Sequence, residues 1–87
     1  MTGWSWVVVG RAEREIKKLD PQNRKRIIDA LDRFAKSYPQ GDVKKLQGMD
    51  DEYRLRVGDW RVLFRRDVNG KVIVVFRVSP RWDAYKG

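Results

Sequence analysis

The sequence predicts an α+β fold: a small two-layer domain with an N-terminal strand, a helical hairpin and a three-strand antiparallel meander, in which the helices cover one face of a single sheet. Three observations support this prediction. The chain opens with a strand-like stretch, continues with two stretches of helical periodicity, and then has three strand-like stretches in succession. Strands that are separated from helices along the chain in this way are typical of α+β domains. Because 87 residues suffice for one small domain and not for two, we expect a single domain over residues 1–87.

The beginning of the chain predicts an N-terminal strand and a first helix. Residues 4–9 are mostly aromatic or β-branched and lie between two glycines, which favours a strand. Over residues 11–19, Ala12, Ile16 and Leu19 recur at helical spacing, with charged residues on the other side. We therefore expect a strand followed by a short amphipathic helix.

A second, longer helix is predicted to begin at Asp20 and Pro21. Aspartate is a favoured N-cap, and proline is favoured at the first helical position. The helix is expected to end before Pro39, so that the two helices form a hairpin. Its apolar stripe consists of Ile27, Ile28, Leu31, Phe34, Ala35 and Tyr38.

Residues 42–52 are predicted to form a polar connection between the second helix and the sheet. Leu46 and Met49 are expected to pack against the edge of the sheet. Lys44 and Lys45 are expected to remain in solvent.

The stretch 53–66 predicts a β-hairpin around Gly58 and Asp59. A glycine at this place suits a two-residue turn, because glycine can adopt the positive φ that the first central position requires. Side chains alternate between the two faces of a strand, so this turn determines which residues share a face. The predicted apolar pairs are Val57 with Trp60, Leu55 with Val62, and Tyr53 with Phe64.

The other face of the predicted hairpin is rich in arginine. Arg56 is expected directly opposite Arg61, and like charges that face each other across two strands destabilise a sheet. Stability alone therefore does not explain this arrangement, whereas a polyanion bound to this face would explain it. The residues predicted on this face are Arg54, Arg56, Arg61, Leu63 and Arg65.

The register of the last strand depends on the loop at residues 68–70. A two-residue turn at Asn69 and Gly70 would place Arg77 on the apolar face, and burying an unpaired arginine is costly. We therefore predict a three-residue loop in which Gly70 adopts the left-handed conformation. The resulting pairs are Phe64 with Val74, Val62 with Phe76, Trp60 with Val78, and Arg61 with Arg77, which gives a row of Arg56, Arg61 and Arg77.

The composition limits the chemistry of the chain. Lys and Arg number 20 against 12 Asp and Glu, and the net charge of +8 favours nucleic acid or an acidic protein as partner. Histidine and cysteine are absent, which excludes histidine-dependent triads, thiolate chemistry and His or Cys metal ligands. The carboxylates at residues 50–52 are more typical of a solvated turn than of a metal site, so we expect no metal and no other cofactor.

The sequence also carries a prediction about location. No apolar run approaches the ~20 residues of a membrane-spanning helix, and the N-terminus lacks the basic stretch of a secretory signal. The absence of cysteine fits a reducing compartment. We therefore expect a cytoplasmic protein that has no membrane partner.

The arginines together with Tyr85 suggest phosphodiester chemistry. Guanidinium groups bind phosphate bidentately and remain charged at any working pH. RNA contains its own nucleophile, the 2′-hydroxyl, so its cleavage needs in-line positioning, stabilisation of the phosphorane and proton transfer. Arginine is a poor general base because its pKa exceeds ~12, which makes Tyr85 the better candidate for proton transfer. Residue types alone still favour passive anion binding over catalysis.

Three segments resemble the RelE-type toxins of bacterial and archaeal toxin–antitoxin systems. The resemblance covers nearly the whole chain, and the segments occur in the same order. The segments are A-E-R-E-I-K-K-L at residues 12–19, K-L-Q-G-M-D-D-E-Y-R-L-R-V-G-D-W-R-V-L-F at 45–64, and V-S-P-R-W-D-A-Y-K at 78–86. The resemblance implies a ribosome-dependent endoribonuclease that cuts messenger RNA in the A site by 2′-hydroxyl attack. It also implies a cognate antitoxin that blocks the basic face.

The resemblance assigns catalytic roles to Arg54, Arg56, Arg61, Arg81 and Tyr85. In this interpretation Arg61 and Arg81 hold the scissile phosphate, and Tyr85 orients or deprotonates the 2′-hydroxyl. Two other functions stay open: a gyrase-inhibiting toxin of the ParE type, which shares the fold, and a non-catalytic RNA-binding module. Further RNA contacts are expected from Lys44, Lys45, Arg65, Arg77 and Trp82, the last as a base-stacking platform.

Overall fold

The computed structural model describes residues 3–38, 43–45 and 52–80, which form two helices and one five-stranded sheet. The elements are β1 (Ser5–Val8), α1 (Arg11–Lys17), α2 (Pro21–Lys36), β2 (Val43–Lys45), β3 (Glu52–Val57), β4 (Trp60–Asp67) and β5 (Val72–Pro80). The strands lie in the order β1-β5-β4-β3-β2. β1 is parallel to β5, and the other neighbouring strands are antiparallel. The predicted α+β class is confirmed.

The structure contains one strand that the sequence did not predict. β2 lies within residues 42–52, where we expected a polar connection, and it pairs with β3 at the edge of the sheet. Lys44 and Lys45 are exposed on this strand, as expected. Leu46 and Met49 lie outside the described residues.

Helix α2 begins as its sequence predicts. The side chain of Asp20 accepts a hydrogen bond from the backbone N–H of Asn23 at 2.7 Å, and Pro21 is the first helical residue. Neither of the helices within residues 3–38 is long and apolar enough to cross a membrane.

Arg24 links the two helices. Its Nε donates to the carbonyl of Ile16 at 3.3 Å, and its Nη2 donates to the carbonyls of Lys17 at 3.1 Å and Leu19 at 2.8 Å. The last carbonyls of a helix have no partner within the helix. A single half-buried guanidinium therefore satisfies three acceptors at the point where α1 turns into α2.

The hydrophobic core lies between the helices and one face of the sheet. Phe64 of β4 is fully buried and meets Phe34 of α2 edge-to-face, with ring centroids 5.4 Å apart. The predicted pairs of the first hairpin are all present, and Gly58 has a φ of 57°, as the predicted turn requires. The buried sheet residues on this face are Leu55, Val57, Val62, Phe64, Ile73, Val75 and Val78.

The register predicted for β4 and β5 is wrong. Phe64 lies opposite Val75, and the ladder then shifts by one residue so that Leu63 lies opposite Arg77. Phe76 is the extra residue of the resulting β-bulge. The bulge keeps Arg77 out of the core. The three-residue loop at residues 68–70, which we predicted for the same purpose, is therefore not needed. The other pairs change accordingly: Val62 lies opposite Val78, Trp60 opposite Pro80, and Arg61 opposite Ser79.

The loop between β4 and β5 also differs from the prediction. The N–H of Lys71 donates to the carbonyl of Val68 at 3.3 Å, which closes a turn around Asn69 and Gly70. Lys71, and not Gly70, has the positive φ, at 55°. The carboxylate of Asp67 accepts a hydrogen bond from the N–H of Gly70 at 3.2 Å, so a side chain fixes the backbone of this turn.

Removal of the Arg24 side chain tests the link between the helices. We expect Arg24→Ala to lower the free energy of unfolding by about 1–3 kcal/mol, because three carbonyls lose a charged donor. Lys25→Ala serves as the control, since the exposed Lys25–Asp29 ion pair at 3.3 Å is expected to contribute less than ~0.5 kcal/mol. Urea unfolding of the two variants measures the difference, and equal effects would contradict the assigned role.

Candidate functional site

Most of the predicted site residues that the structure describes lie on the sheet face turned away from the helices, which we call the open face. Directly opposed residues form three rows across this face. The rows are Lys44, Arg54, Leu63 and Arg77; Arg56, Arg61 and Ser79; and Glu52, Arg65 and Val74.

Two pairs of positively charged residues face each other directly on the open face. Arg56 lies opposite Arg61, as predicted, and Lys44 lies opposite Arg54. The Cβ atoms of such pairs are about 4.5–5.5 Å apart. Within the described part of the chain, Arg54 and Arg56 form no ion pair. The residues described therefore leave these two guanidinium charges uncompensated.

Arg54 also has an unused hydrogen-bond donor. Its side chain is half-buried, and its Nε is shielded from solvent and meets no hydrogen-bond acceptor within the described residues. A buried donor without an acceptor costs about 1–3 kcal/mol. Arg54 lies between Lys44 and Leu63 in its row, so the residue with this unmet donor has a positively charged residue directly opposite it on one side.

Arg61 differs from the other arginines of the first hairpin because it is buried. It is 4% exposed, although it projects from the face that we expected to be open, whereas Arg56 opposite it is exposed. The predicted row of Arg56, Arg61 and Arg77 does not form, because the bulge places the nearly buried Ser79 opposite Arg61. Although no helix covers this face, Arg56 is exposed and Arg61 is not.

The charge of Arg77 is already compensated within the fold. Its Nε is 3.1 Å from Oε2 of Glu15, and the same oxygen is 3.3 Å from Nε of Arg11. The other oxygen, Oε1, accepts a hydrogen bond from the backbone N–H of Val78 at 2.7 Å. Arg77 therefore contributes less positive charge to the open face than its position in the sequence suggests.

Glu15 is not among the predicted site residues, although the sequence contains a signal for it. Glu15 follows Ala12 by three residues and precedes Leu19 by four, so it lies on the side of α1 that faces the sheet. A carboxylate at such a position requires a buried partner. The backbone of β5 and Arg77 provide that partner.

Arg65 and Phe76 form a contact that was not predicted from the sequence. The guanidinium carbon of Arg65 lies 5.1 Å from the centre of the Phe76 ring. Arg65 is exposed and Phe76 is half-buried. Phe76 follows the buried Val75, so strand alternation directs its ring to the open face, whereas the predicted register placed it opposite Val62 on the apolar face.

Arg81, Trp82 and Tyr85 lie outside the described residues. β5 ends at Pro80, and Arg81 is the next residue in the chain. The strand that leads to these residues therefore carries Ser79, the partner of Arg61.

Comparisons with known proteins agree on one family. A family model described as the ParE toxin of the type II toxin–antitoxin system parDE matches residues 8–85. The protein "Putative toxin RelE1" of Methanocaldococcus jannaschii is 31% identical over 80 residues, which cover 87% of this chain and 88% of that protein.

Solved structures extend the similarity to the fold. The archaeal RelE–RelB complex from Pyrococcus horikoshii contains a chain that is 27% identical, with a TM-score of 0.70, covering 93% of this chain and 97% of that one. A chain of the RelBE2 toxin–antitoxin complex of Mycobacterium tuberculosis has a TM-score of 0.79, with coverage of 91% and 99%. At 22% identity, the second similarity is one of fold alone.

Substitutions of Glu15 test its role in holding β5. Glu15→Ala is expected to lower the free energy of unfolding by about 1–3 kcal/mol, because the buried N–H of Val78 loses its acceptor. Glu15→Gln keeps an acceptor and is expected to cost less. Glu13→Gln, which alters an exposed ion pair with Lys17 at 3.8 Å, is the control and is expected to have almost no effect. Equal unfolding midpoints in urea for the two Glu15 variants and the control would refute this role.

Proposed function

This chain belongs to the family of ParE- and RelE-type toxins of type II toxin–antitoxin systems, and we propose that it is an endoribonuclease that cleaves messenger RNA in the ribosomal A site. The observation that carries the proposal is the set of opposed positive charges on the open face. Arg54 and Arg56 form no ion pair within residues 3–38, 43–45 and 52–80 and lie within two like-charge pairs. A polyanion such as RNA supplies the missing negative charge.

In the proposed reaction, the 2′-oxygen of a ribose attacks the adjacent phosphorus. The bond between phosphorus and the 5′-oxygen of the next nucleotide breaks, the 2′-oxygen gives up a proton, and the 5′-oxygen acquires one. The reaction passes through a phosphorane with additional negative charge, and preorganised positive groups lower its energy. In this scheme the arginines supply the positive charge and no metal ion takes part.

Each site residue has a separate task in this proposal. Arg54 and Arg56 bind the RNA backbone and align it for in-line attack. Arg61 and Arg81 stabilise the scissile phosphate. Because Arg61 is 4% exposed, its charge acts from within the sheet surface, where the effective dielectric constant is lower than in water. Tyr85 orients the 2′-hydroxyl or removes its proton.

We propose two macromolecular partners. The similar structure from Pyrococcus horikoshii is a RelE–RelB complex, which supports a cognate antitoxin of the RelB type for this chain. The second partner is the ribosome, whose RNA would contact the positive surface around the exposed Lys44 and Lys45. Contacts of this kind weaken steeply as the salt concentration rises.

A gyrase-inhibiting toxin of the ParE type is the second candidate function, and the match to the ParE family model favours it. Inhibition of gyrase operates through protein contacts, so it should survive the loss of Arg56 and Tyr85, whereas cleavage should not. A DNA supercoiling assay with these variants separates the two functions. Binding of RNA without cleavage would instead indicate the non-catalytic module.

Primer extension on a defined messenger RNA tests the proposed nuclease. With purified 70S ribosomes, the protein is expected to produce discrete cuts within A-site codons. Arg56→Ala and Tyr85→Phe should each slow cleavage by about 10²- to 10³-fold, the usual cost of removing one group that stabilises or aligns a transition state.

The control for this experiment is Arg33→Ala, which removes the same charge from an exposed position on α2, away from the open face. It should cut at nearly the wild-type rate. If the folded wild-type protein, freed from antitoxin, leaves the RNA intact on ribosomes, the nuclease proposal fails. If Arg33→Ala loses as much activity as Arg56→Ala, net charge rather than the open face is responsible.

A further inference from the structure

The open face carries an aromatic side chain, Phe76, at the β-bulge in β5. In the described part of the chain, Phe76 is the one aromatic residue that neither belongs to the hydrophobic core nor packs against it. Phe76 follows the buried Val75 along the strand, and successive side chains of a strand point to opposite faces. The contact with Arg65 shows the result: the ring lies on the side of the sheet that carries the arginines.

The fold gains little from this contact. Arg65 is exposed, and exposed cation–π pairs stabilise a protein by only about 0.5–1 kcal/mol. A half-buried ring with an exposed guanidinium beside it also presents apolar and planar surface to solvent. The pair therefore has the character of a binding surface more than that of a structural contact.

Arg65 lies beside the uncompensated Arg54. Arg54 on β3 is directly opposite Leu63 on β4. Arg65 lies two residues after Leu63 on β4, so Arg54 and Arg65 are diagonal neighbours. Such neighbours are about 7–8 Å apart. One nucleotide can therefore contact Arg54 through its phosphate and Arg65 through its base.

We propose that Arg65 and Phe76 form a stacking subsite for one nucleobase of the RNA. The base lies on the outer plane of the Arg65 guanidinium, and the ring of Phe76 holds this guanidinium flat from the other side. Sites for single-stranded nucleic acid combine backbone-binding cations with planar groups of this kind. The inference rests on the proposed function for its ligand, RNA, and it assigns the place at which a base is held.

The subsite predicts a particular kind of selectivity. Stacking uses the plane of a base and not its hydrogen-bonding edge, so every base is accepted. The subsite therefore contributes affinity and holds the position of the strand along the open face, and it does not read the identity of the base.

Binding of a short single-stranded RNA, labelled with a fluorophore and followed by anisotropy, tests the subsite in the full chain. Arg65→Lys keeps the charge and removes the plane, and Phe76→Leu keeps the apolar character and removes the ring. Both are expected to weaken binding by about 5- to 100-fold, the range that base stacking provides. The salt dependence should stay unchanged, because the number of charges is the same. Arg33→Lys on α2 is the matched control and should bind like the wild type.

A second RNA of equal length and charge, whose sugars carry no bases, identifies stacking as the cause. The wild type should bind it more weakly by the same factor, and Phe76→Leu should show almost no further loss. Thermal unfolding of each variant confirms that it is folded.

Equal affinity of the wild type and both variants for the normal RNA overturns the subsite. The same holds if the wild type binds neither RNA, or binds both equally. The nuclease proposal is decided separately on ribosomes. If the protein cleaves on ribosomes but binds both RNAs equally, only the subsite is rejected. If it binds the normal RNA more tightly than the RNA without bases but does not cleave, only the nuclease is rejected.

Discussion

The two-residue period of β3 and β4 is the constraint on which the rest of the structure depends. The turn at Gly58 fixes the register, and every second residue of the hairpin then meets the helices. Leu55 and Phe64 enter the core by this rule, and the arginines between the apolar residues are placed on the open face. A shift of the strand register by one residue would place the arginines against the helices and the apolar residues on the open face. The core and the positive surface are therefore specified by a single pattern.

The C-terminal end of β5 is held by a side chain and not by a neighbouring strand on the β1 side. β1 ends at Val8, and beyond this point Glu15 replaces the missing neighbouring strand by accepting a hydrogen bond from the N–H of Val78 and pairing with Arg77. The arginines thereby fall into two classes. The charge of Arg77 is balanced by a carboxylate, whereas Arg54 and Arg56 form no ion pair with any residue that the structure describes.

The sequence predicts those parts of the fold that depend on local periodicity. The hairpin register, the N-cap at Asp20 and the helical stripe follow from spacing and turn chemistry, and the structure confirms them. The bulge at Phe76 was not predictable in this way, because one extra residue breaks the alternation from which register is read. The short strand β2 was missed because its exposed lysines resemble a loop. The burial of Arg61 depends on tertiary packing, which no pattern within β4 contains.

The central claim is that the Arg56–Arg61 pair binds a polyanion and lowers the stability of the protein when no polyanion is bound. Urea unfolding of Arg56→Gln at low salt tests it, with Arg33→Gln as a measure of the general effect of lowering the net charge. Our account predicts that Arg56→Gln is more stable than the wild type by about 0.2–1 kcal/mol, beyond any gain in Arg33→Gln. The difference should shrink as salt screens the repulsion. A less stable Arg56→Gln at low salt would show that this arginine supports the fold, and would contradict the claim.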